Sequence, residues 1–396
     1  MENKTCIICG ETKNSDLFEE DYKLPNDGIC CICKECDEEI KKRLELKLID
    51  LNKLEEDFKY FNNYECVFSY NLNYNEPKII KDNNGKKCRF CGRKEPEVTF
   101  RKKAHAISEM LGNRTLLSDN ECDECNAFFG DNLENDLGKY LGVIRTLTQI
   151  VGKGGVPSYK TKNKKARIDY TNKGLVIQKV VGDEFLTLED DCLIFRIERE
   201  AYTPINVYKS FVKMAMSLIP EDLLFNFDDT LKWLKEDPNM ESKYNMDDYA
   251  YIIEKFIPGP KPHNLNVKGF IRKNDKIHLP YFIFLIEFGN YSFQIIIPCI
   301  KKDFILANSK VTLKSFPNIY DILGNPFGKS TIIFKNMQGK EVVRNEKFEF
   351  KLHFEKFQEL EINGKTQKEL FEEQGINLNK SLKPKEKNNK GNKIRL

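Results

Sequence analysis

The chain has 396 residues, of which 40% are hydrophobic and 32% are charged, and its formal net charge is +3. This composition is typical of a globular protein with two or three domains. No stretch approaches the roughly 18 apolar residues that a membrane span requires, and no secretory signal opens the sequence. We therefore expect a cytoplasmic protein with no membrane partner. In that reducing compartment, thirteen cysteines in close pairs indicate metal binding instead of disulfides.

Basic residues are clustered although the net charge is close to neutral. The clusters lie at residues 86–103, at residues 160–167 and in the tail after Asn379. Clusters of this kind can neutralise phosphates, and they are also found as solvated surface loops. The charge pattern is thus compatible with a nucleic-acid partner but does not by itself require one.

The first 36 residues contain a group of close cysteines. Cys6-x-x-Cys9 pairs most simply with Cys33-x-x-Cys36, although Cys30-x-x-Cys33 has the same spacing. The string TCIICGETKN…DGICCICKEC resembles the small zinc ribbons of phage and bacterial proteins. That resemblance implies a structural zinc ion and leaves two cysteines as spares. The implied ligands are Cys6, Cys9, Cys33 and Cys36, and the spares are Cys30 and Cys31. Such a ribbon acts as a folding staple or docking surface more often than as a reader of bases.

Residues 37–84 are predicted to be a helix followed by a connector. Between Ile40 and Phe58 the apolar residues recur every three or four positions, which is the helical period and predicts a helix over residues 37–61. The remainder is rich in Asn and Tyr. We expect it to connect two folded parts, with one strand at most.

Two further knuckles, Cys88-x-x-Cys91 and Cys122-x-x-Cys125, bracket a lone histidine, His105. Tetrahedral Zn²⁺ binds four thiolates, and a gap of two residues lets one tight turn present two of them to the same ion. The spacing therefore predicts a second structural zinc site. Its closed ligand shell would hold the two ends of the segment together and would take no part in catalysis.

His105 ends a run that reads as a strand, VTFRKKAHAIS, and a loop, the second knuckle and a helix predicted from Asn126 follow. The frame C-x-x-C…A-H-x-I-x-E-x-L-G-N…C-x-x-C-N-x-x-x-G resembles the HNH nucleases over roughly residues 85–140. The resemblance implies a ββα-metal module at residues 85–150. In it, His105 is the general base that activates water for attack on a phosphodiester, and Asn126 is an oxygen ligand of a catalytic Mg²⁺ or Mn²⁺.

The frame departs from the family at one metal ligand. The position before the base, which is Asp or a second His in many HNH sites, is Ala104 here. Asn126, Gly130 and Glu134 are spaced four apart and would lie on one side of a helix, so Glu134 is the preferred substitute ligand. The weaker candidates are Glu109 and Asp131.

The middle asparagine of the family pattern has two candidates. Asn113 in LGN and Asn120 in SDNE both fit loosely. We prefer Asn113, which lies eight residues after the base, and group it with the catalytic residues.

Residues 156–380 are predicted to form a mixed α+β domain of unknown role, after the glycine-rich break GKGGVP. Short apolar runs predict strands within residues 166–200, 263–299 and 330–355, with a turn at Gly289-Asn290. The stretches TPINVYKSFVKMAMSLIP, FDDTLKWLKED and NMDDYAYIIEKF predict helices, the first with Pro204 in its first turn. Residues 381–396 predict a basic disordered tail.

The sequence thus predicts an α+β multidomain protein that is a metal-dependent HNH endonuclease. DNA is the expected substrate, with RNA left open, and the resemblance makes defence against foreign DNA plausible. The alternative is a zinc-bearing nucleic-acid or partner-binding protein whose HNH site is degenerate, with Ala104 as the sign of decay. Cleavage that depends on a divalent ion separates the two hypotheses. The sequence leaves open the target, the ligand of the C-terminal domain and the oligomeric state.

Overall fold

The computed structural model describes most of the chain after residue 50. The described residues are 3–5, 12–14, 34–35, 38, 51–72, 78–82, 85–172, 174–180, 183–189, 192–236, 242–244, 246–259, 263–306, 311–353 and 367–376. The cysteines of the predicted ribbon (Cys6, Cys9, Cys30, Cys31, Cys33 and Cys36) and the predicted tail lie outside these ranges, so both remain predictions.

The described residues form a mixed α+β fold. The strands are β1 (Asn3–Thr5), β2 (Thr12–Asn14), β3 (Tyr64–Asn71), β4 (Lys78–Ile80), β5 (Ala104–His105), β6 (Leu116–Ser118), β7 (Tyr159–Lys160), β8 (Ala166–Thr171), β9 (Gly174–Lys179), β10 (Leu186–Glu189), β11 (Cys192–Glu198), β12 (Tyr251–Phe256), β13 (His263–Arg272), β14 (Phe282–Gly289), β15 (Tyr291–Ile297), β16 (Thr331–Asn336) and β17 (Lys347–His353). The α-helices are α1 (Leu51–Phe61), α2 (Asp123–Phe129), α3 (Asn135–Leu141), α4 (Ile144–Leu147), α5 (Pro204–Leu218), α6 (Glu221–Leu224), α7 (Asp228–Leu234), α8 (Ile300–Asp303), α9 (Ile319–Leu323) and α10 (Gln367–Glu373). None of the described helices is long and apolar enough to cross a membrane.

The largest sheet is antiparallel throughout and has the strand order β16-β12-β15-β14-β13-β3. The hairpin of β14 and β15 turns at Gly289, whose φ of 55° favours glycine, so the predicted turn is confirmed. The edge strand β3 comes from the stretch predicted to be a connector with one strand at most, and β4 is a second strand in the same stretch. Tyr64 and Phe68 in β3 are buried, and β3 pairs along β13.

Helix α5 lies at the centre of the molecule. All fifteen of its residues are buried, which is the pattern of a helix surrounded by protein. One continuous cluster of buried apolar side chains extends from the segment of the second zinc knuckles through α5 into the six-stranded sheet. The predicted nuclease module and the C-terminal part of the chain therefore share a core.

Most strand predictions in the C-terminal part are confirmed, but one predicted helix is wrong. The stretch NMDDYAYIIEKF contains a single 3₁₀ turn, Asp247–Tyr249, followed by strand β12. Strand β12 pairs on both sides, with β15 and with β16. Its aromatic and β-branched residues fit this central position better than a helix. The predicted helices at α5 and α7 are confirmed.

The predicted module has the expected two strands and a helix. Strands β5 and β6 pair antiparallel, and β4 adds to β6 in parallel. The helix after them runs from Asp123 to Leu141 as α2, a five-residue π turn at Gly130–Glu134, and α3. It begins three residues before the predicted start at Asn126, because Cys122 takes the N-cap position.

Candidate active site

Four cysteines converge at the start of this module. The Sγ atoms of Cys88, Cys91, Cys122 and Cys125 all lie within 4.8 Å of one another. Tetrahedral zinc with Zn–S bonds of 2.3 Å separates its sulfur ligands by about 3.8 Å, and the Sγ atoms of Cys91 and Cys122 are 3.8 Å apart. Apart from Cys91, which is partly exposed, the cysteines are buried. The cluster therefore fits a closed structural zinc ion.

The surroundings of Cys88 favour the thiolate form of its side chain. A hydrogen bond from the Cys125 thiol, opposed by burial and assisted by backbone N–H groups, lowers the pKa of Cys88 to about 4. One of those donors is the N–H of Cys122, 3.4 Å from the Cys88 Sγ atom. Metal ions bind thiolates and not thiols, so these contacts favour binding.

The knuckle is attached to α5 by Arg89, which lies between its two cysteines. The Arg89 Nη1 atom donates to the carbonyl oxygens of Met216 and Ile219 at 2.9 and 2.8 Å. The same guanidinium forms a buried ion pair with Asp82. Cations are favoured at the C-terminal end of a helix, where carbonyl groups lack partners within the helix. Arg89 thus caps α5 and fixes the knuckle on it.

His105 lies at the end of β5, as predicted. Its side chain is 22% exposed, and its Nε2 atom is 3.6 Å from Oε1 of Glu109. The Nδ1 atom is buried, and no described residue hydrogen-bonds to it. The carbonyl oxygen of His105 accepts a hydrogen bond of 3.3 Å from Lys213 of α5. The four cysteines complete the zinc shell without His105, so its imidazole is available for other chemistry.

The surroundings of His105 favour its neutral form. Burial lowers the pKa of His105 below the ordinary histidine value, and the positive charges of Lys213 and Lys153 act in the same direction. The carboxylates of Glu109 and Glu134 oppose this shift. A neutral imidazole can accept a proton at physiological pH, which a general base must do.

Glu134, the predicted substitute ligand, lies close enough to His105 to influence its pKa. Its Oε2 atom accepts a hydrogen bond of 2.5 Å from the Ser108 hydroxyl, so a residue of the loop after the base orients this carboxylate. Glu134 ends the π turn, in which backbone bonds join residues five apart. Because of this turn, Glu134 does not follow the regular α-helical spacing that the sequence analysis assumed for Asn126, Gly130 and Glu134.

The two asparagines considered for the family pattern have structural contacts. Asn113 is fully buried. Its Nδ2 atom donates to the carbonyl oxygens of Ile107 and Leu116, and its Oδ1 atom accepts from the N–H of Leu116. Asn120 is also buried and donates to Asp82 at 2.8 Å. Asn113 therefore fixes the loop that follows the base, and its amide does not face solvent.

Asn126 lies in the first turns of the helix and is partly exposed, whereas Asp131 is exposed. Among the described residues, the four-cysteine cluster is the one group of three or more His, Cys, Asp or Glu side chains close enough to hold a single metal ion. Glu109 and Glu134 thus flank His105 without converging to one point. Mg²⁺ keeps several water ligands and binds through one or two carboxylates, so this donor set fits such an ion in its chemistry.

One buried ion pair lies behind the site and was not predicted from the sequence. Lys213 Nζ and Glu121 Oε2 are 2.9 Å apart, and their side chains are 2% and 0% exposed. Glu121 precedes the second knuckle, and Lys213 comes from α5. A lysine within a helix usually marks a solvent-facing side, so its pattern alone did not indicate this contact.

Residues 88–141 match a family model described as HNH endonuclease. No curated protein and no solved structure gave a significant match to the chain. The matched segment contains the four-cysteine cluster and His105, and it ends with α3. The predicted resemblance is confirmed: this segment is similar to HNH endonuclease domains, which are metal-dependent and act on nucleic acids.

Proposed function

We propose that this protein is a metal-dependent endonuclease that hydrolyses phosphodiester bonds in DNA, with His105 as the general base. The observation that carries the proposal is the position of His105 in the matched segment. Its imidazole lies outside the zinc shell, at the end of β5, with Nε2 directed at a carboxylate 3.6 Å away. The neutral form that this environment favours is the form a base requires.

Nε2 is the atom that accepts the proton from the attacking water. Nδ1 is buried, so water and substrate can reach only the other nitrogen. The imidazolium formed in this step is stabilised by the carboxylate of Glu109. The hydrogen bond from Lys213 to the His105 carbonyl oxygen holds the strand and limits movement of the base.

Glu134 and Asn126 are the proposed ligands of the catalytic Mg²⁺ or Mn²⁺. A divalent ion at this position supplies positive charge that stabilises the developing charge on the phosphate. Glu134 is oriented for this role by Ser108. Asn126 contributes an amide oxygen from the same helix. The methyl side chain of Ala104 cannot bind a metal ion. Glu134 and Asn126 therefore replace the ligand that an Asp or His before the base provides in many HNH sites.

A plasmid-nicking assay tests the proposal. Wild-type protein should convert supercoiled DNA to nicked or linear DNA with Mg²⁺ or Mn²⁺, and chelator should abolish the reaction. His105→Ala should lower the rate by roughly 10² to 10⁴, the usual contribution of a positioned base. His353→Ala is the matched control, because His353 is exposed on β17. Cleavage by His105→Ala at the wild-type rate would refute the assignment.

One observation favours the alternative of a degenerate site. The carboxylates near His105 do not form a cluster that could hold an ion with three of the described ligand side chains. In that case the protein binds DNA and shows no cleavage with either metal ion. Binding without divalent-dependent nicking in the wild type would therefore replace the nuclease by a zinc-bearing binding protein.

We extend the proposal to defence against foreign DNA, which the family resemblance alone supports. Cells that express the wild-type protein should plate phage less efficiently than cells that express His105→Ala at the same level. Equal protection by both proteins would contradict a defence role for cleavage.

A further inference from the structure

A cleft of about 470 Å³ opens beside the proposed active site. One wall is Glu109, the carboxylate that faces His105, together with Met110. The other walls come from α4, from the loop 152–158 and from strand β8. Nearly all of this second part lies beyond residue 141, where the HNH match ends. The cleft is thus made by the family domain together with residues outside it.

The side chains that line the cleft carry a net positive charge. Its lining includes three cations and two carboxylates. Arg167 is neutralised by Asp169, which accepts hydrogen bonds of 2.5 and 2.7 Å from the Nε and Nη2 atoms of Arg167. The other carboxylate, Glu109, faces His105. Within the part of the chain that the structure describes, neither Arg145 nor Lys153 has a carboxylate partner.

Arg145 is held in place although it lacks a counterion. Its Nε atom donates to the carbonyl oxygen of Met110 at 3.1 Å, and burial lowers the pKa of Arg145. A partly buried cation without a counterion is costly in a folded protein. Such a cost is explained when an anion completes the site. A guanidinium suits phosphate in particular, because its planar fork donates two parallel hydrogen bonds.

Lys153 is presented by a tight turn built against Arg145. Gly152 and Gly155 exchange two backbone hydrogen bonds of 3.0 Å, which places Lys153 at the tip. A Cβ atom on Gly152 would lie 3.3 Å from Nη2 of Arg145, so glycine lets the turn approach the guanidinium closely. Arg114 donates to the Gly152 carbonyl oxygen and fixes the turn from the other side.

We propose that Arg145 and Lys153 bind a backbone phosphate of the nucleic acid next to the phosphate that is cleaved. This inference rests on the proposed function, because the cleft leads to Glu109 and so to His105. The positive charge of Lys153 already acts on His105, which places the two groups in the same electrostatic environment. Residues 142–158 thereby become a substrate-positioning element that the family domain alone lacks.

The test measures DNA binding by the zinc-loaded protein, without added Mg²⁺ or Mn²⁺, as a function of salt, with every variant made in the His105→Ala background. Each phosphate contact contributes about 0.9 to the slope of log K against log salt concentration. Arg145→Met and Lys153→Ala each remove one of the two cations from this phosphate, so each should reduce that slope by up to about 0.9 and raise Kd by up to roughly ten-fold. Lys232→Ala is the control of equal charge change, because Lys232 lies on α7 and pairs with Asp229. It should leave the slope unchanged.

One further variant and a measurement with inorganic phosphate make the outcomes decisive. Lys153→Ala changes an exposed turn tip and should fold normally, so it tests the site even if Arg145→Met does not fold. Gly152→Ala should weaken binding in the same direction by displacing the guanidinium. Unchanged slopes in both Lys153→Ala and Gly152→Ala would overturn the proposal. It would also be overturned if Lys153→Ala lost affinity for inorganic phosphate but kept the full DNA slope, since the cleft would then take a free phosphate.

Failure of this inference can be told from failure of the proposed function. Wild-type protein that nicks DNA, with unchanged slopes in the variants, refutes the phosphate site and leaves the nuclease intact. Wild-type protein that never nicks DNA, with reduced slopes in the variants, retains the phosphate site and removes the nuclease.

Discussion

The buried pair of Lys213 and Glu121 gives the sharpest test of how α5 supports the proposed active site. Both side chains are at most 2% exposed, and their charged atoms are 2.9 Å apart. We predict that Lys213→Met strongly destabilises the protein, because it leaves Glu121 buried without its cation. Loss of one partner from a buried pair typically costs about 3 to 5 kcal/mol, a large part of the roughly 5 to 15 kcal/mol by which proteins are stable.

The double variant Lys213→Met/Glu121→Leu should recover most of this loss. Replacing both members of a buried pair by apolar residues of similar volume is often neutral or stabilising, and the rings of Phe90 and Phe129 near Lys213 provide apolar surroundings. The coupling energy of the double-mutant cycle should then be several kcal/mol. Urea unfolding of the zinc-loaded proteins measures all four members of the cycle.

The pH dependence of Lys213→Met provides a second readout with a defined sign. Burial raises the pKa of Glu121, and Lys213 opposes that shift in the wild type. Without Lys213, Glu121 takes up a proton on folding. The folded state then binds more protons than the unfolded state, so stability falls as pH rises above the ordinary glutamate pKa of about 4.3, by up to about 1.4 kcal/mol per pH unit. The double variant lacks this slope. Wild-type stability in Lys213→Met at every pH would refute the packing of α5 over Glu121.

Three other predictions concern the metal sites and the base. The isolated protein should contain two zinc ions per chain by elemental analysis. Cys122→Ser should lose one of them and unfold the module, because structural zinc contributes on the order of 10 kcal/mol to folding. Full zinc content in this variant would contradict the ligand assignment. Glu134→Gln and Asn126→Ala should raise the Mg²⁺ concentration needed for half-maximal nicking by about 10-fold or more, with partial rescue by Mn²⁺. An unchanged requirement in Glu134→Gln would return the ligand to Glu109 or Asp131. Because the pKa of His105 is lowered, nicking should be lost as pH falls with a midpoint below about 6.5; a midpoint above that value would argue against His105 as the base.

The parts of the site that were predictable from sequence depend on local spacing. Two residues between cysteines restrict a knuckle to one tight geometry, so the cluster of Cys88, Cys91, Cys122 and Cys125 was expected before its geometry was known. A strand that ends at His105 and a helix after the second knuckle were also expected, although the strand is only two residues long and the helix begins three residues early. Local chemistry determines each of these features, and distant residues have little influence on them.

The parts that were not predictable depend on contacts between distant residues. The stretch that contains β3 was expected to be a connector with one strand at most, because nothing near it in sequence shows that β13 will pair with β3. Lys209 and Lys213, one turn apart on α5, would mark a solvent-facing side in most helices, yet both are buried. Each is compensated by a distant partner, since Lys209 donates to the Trp233 carbonyl oxygen and Lys213 pairs with Glu121.

Helix α5 makes these long-range contacts with the segment that contains the zinc knuckles and His105. Its C-terminal carbonyls receive Arg89, which lies inside the zinc knuckle, and one turn earlier Lys213 contacts both Glu121 and the backbone of His105. The four-cysteine cluster and α5 therefore hold the short hairpin of His105, the proposed base, from two sides. A two-residue strand such as β5 has too few ladder hydrogen bonds to fix a catalytic side chain by itself. The position of His105 depends on a helix outside the matched segment, so the C-terminal part of the chain is a structural component of the proposed active site.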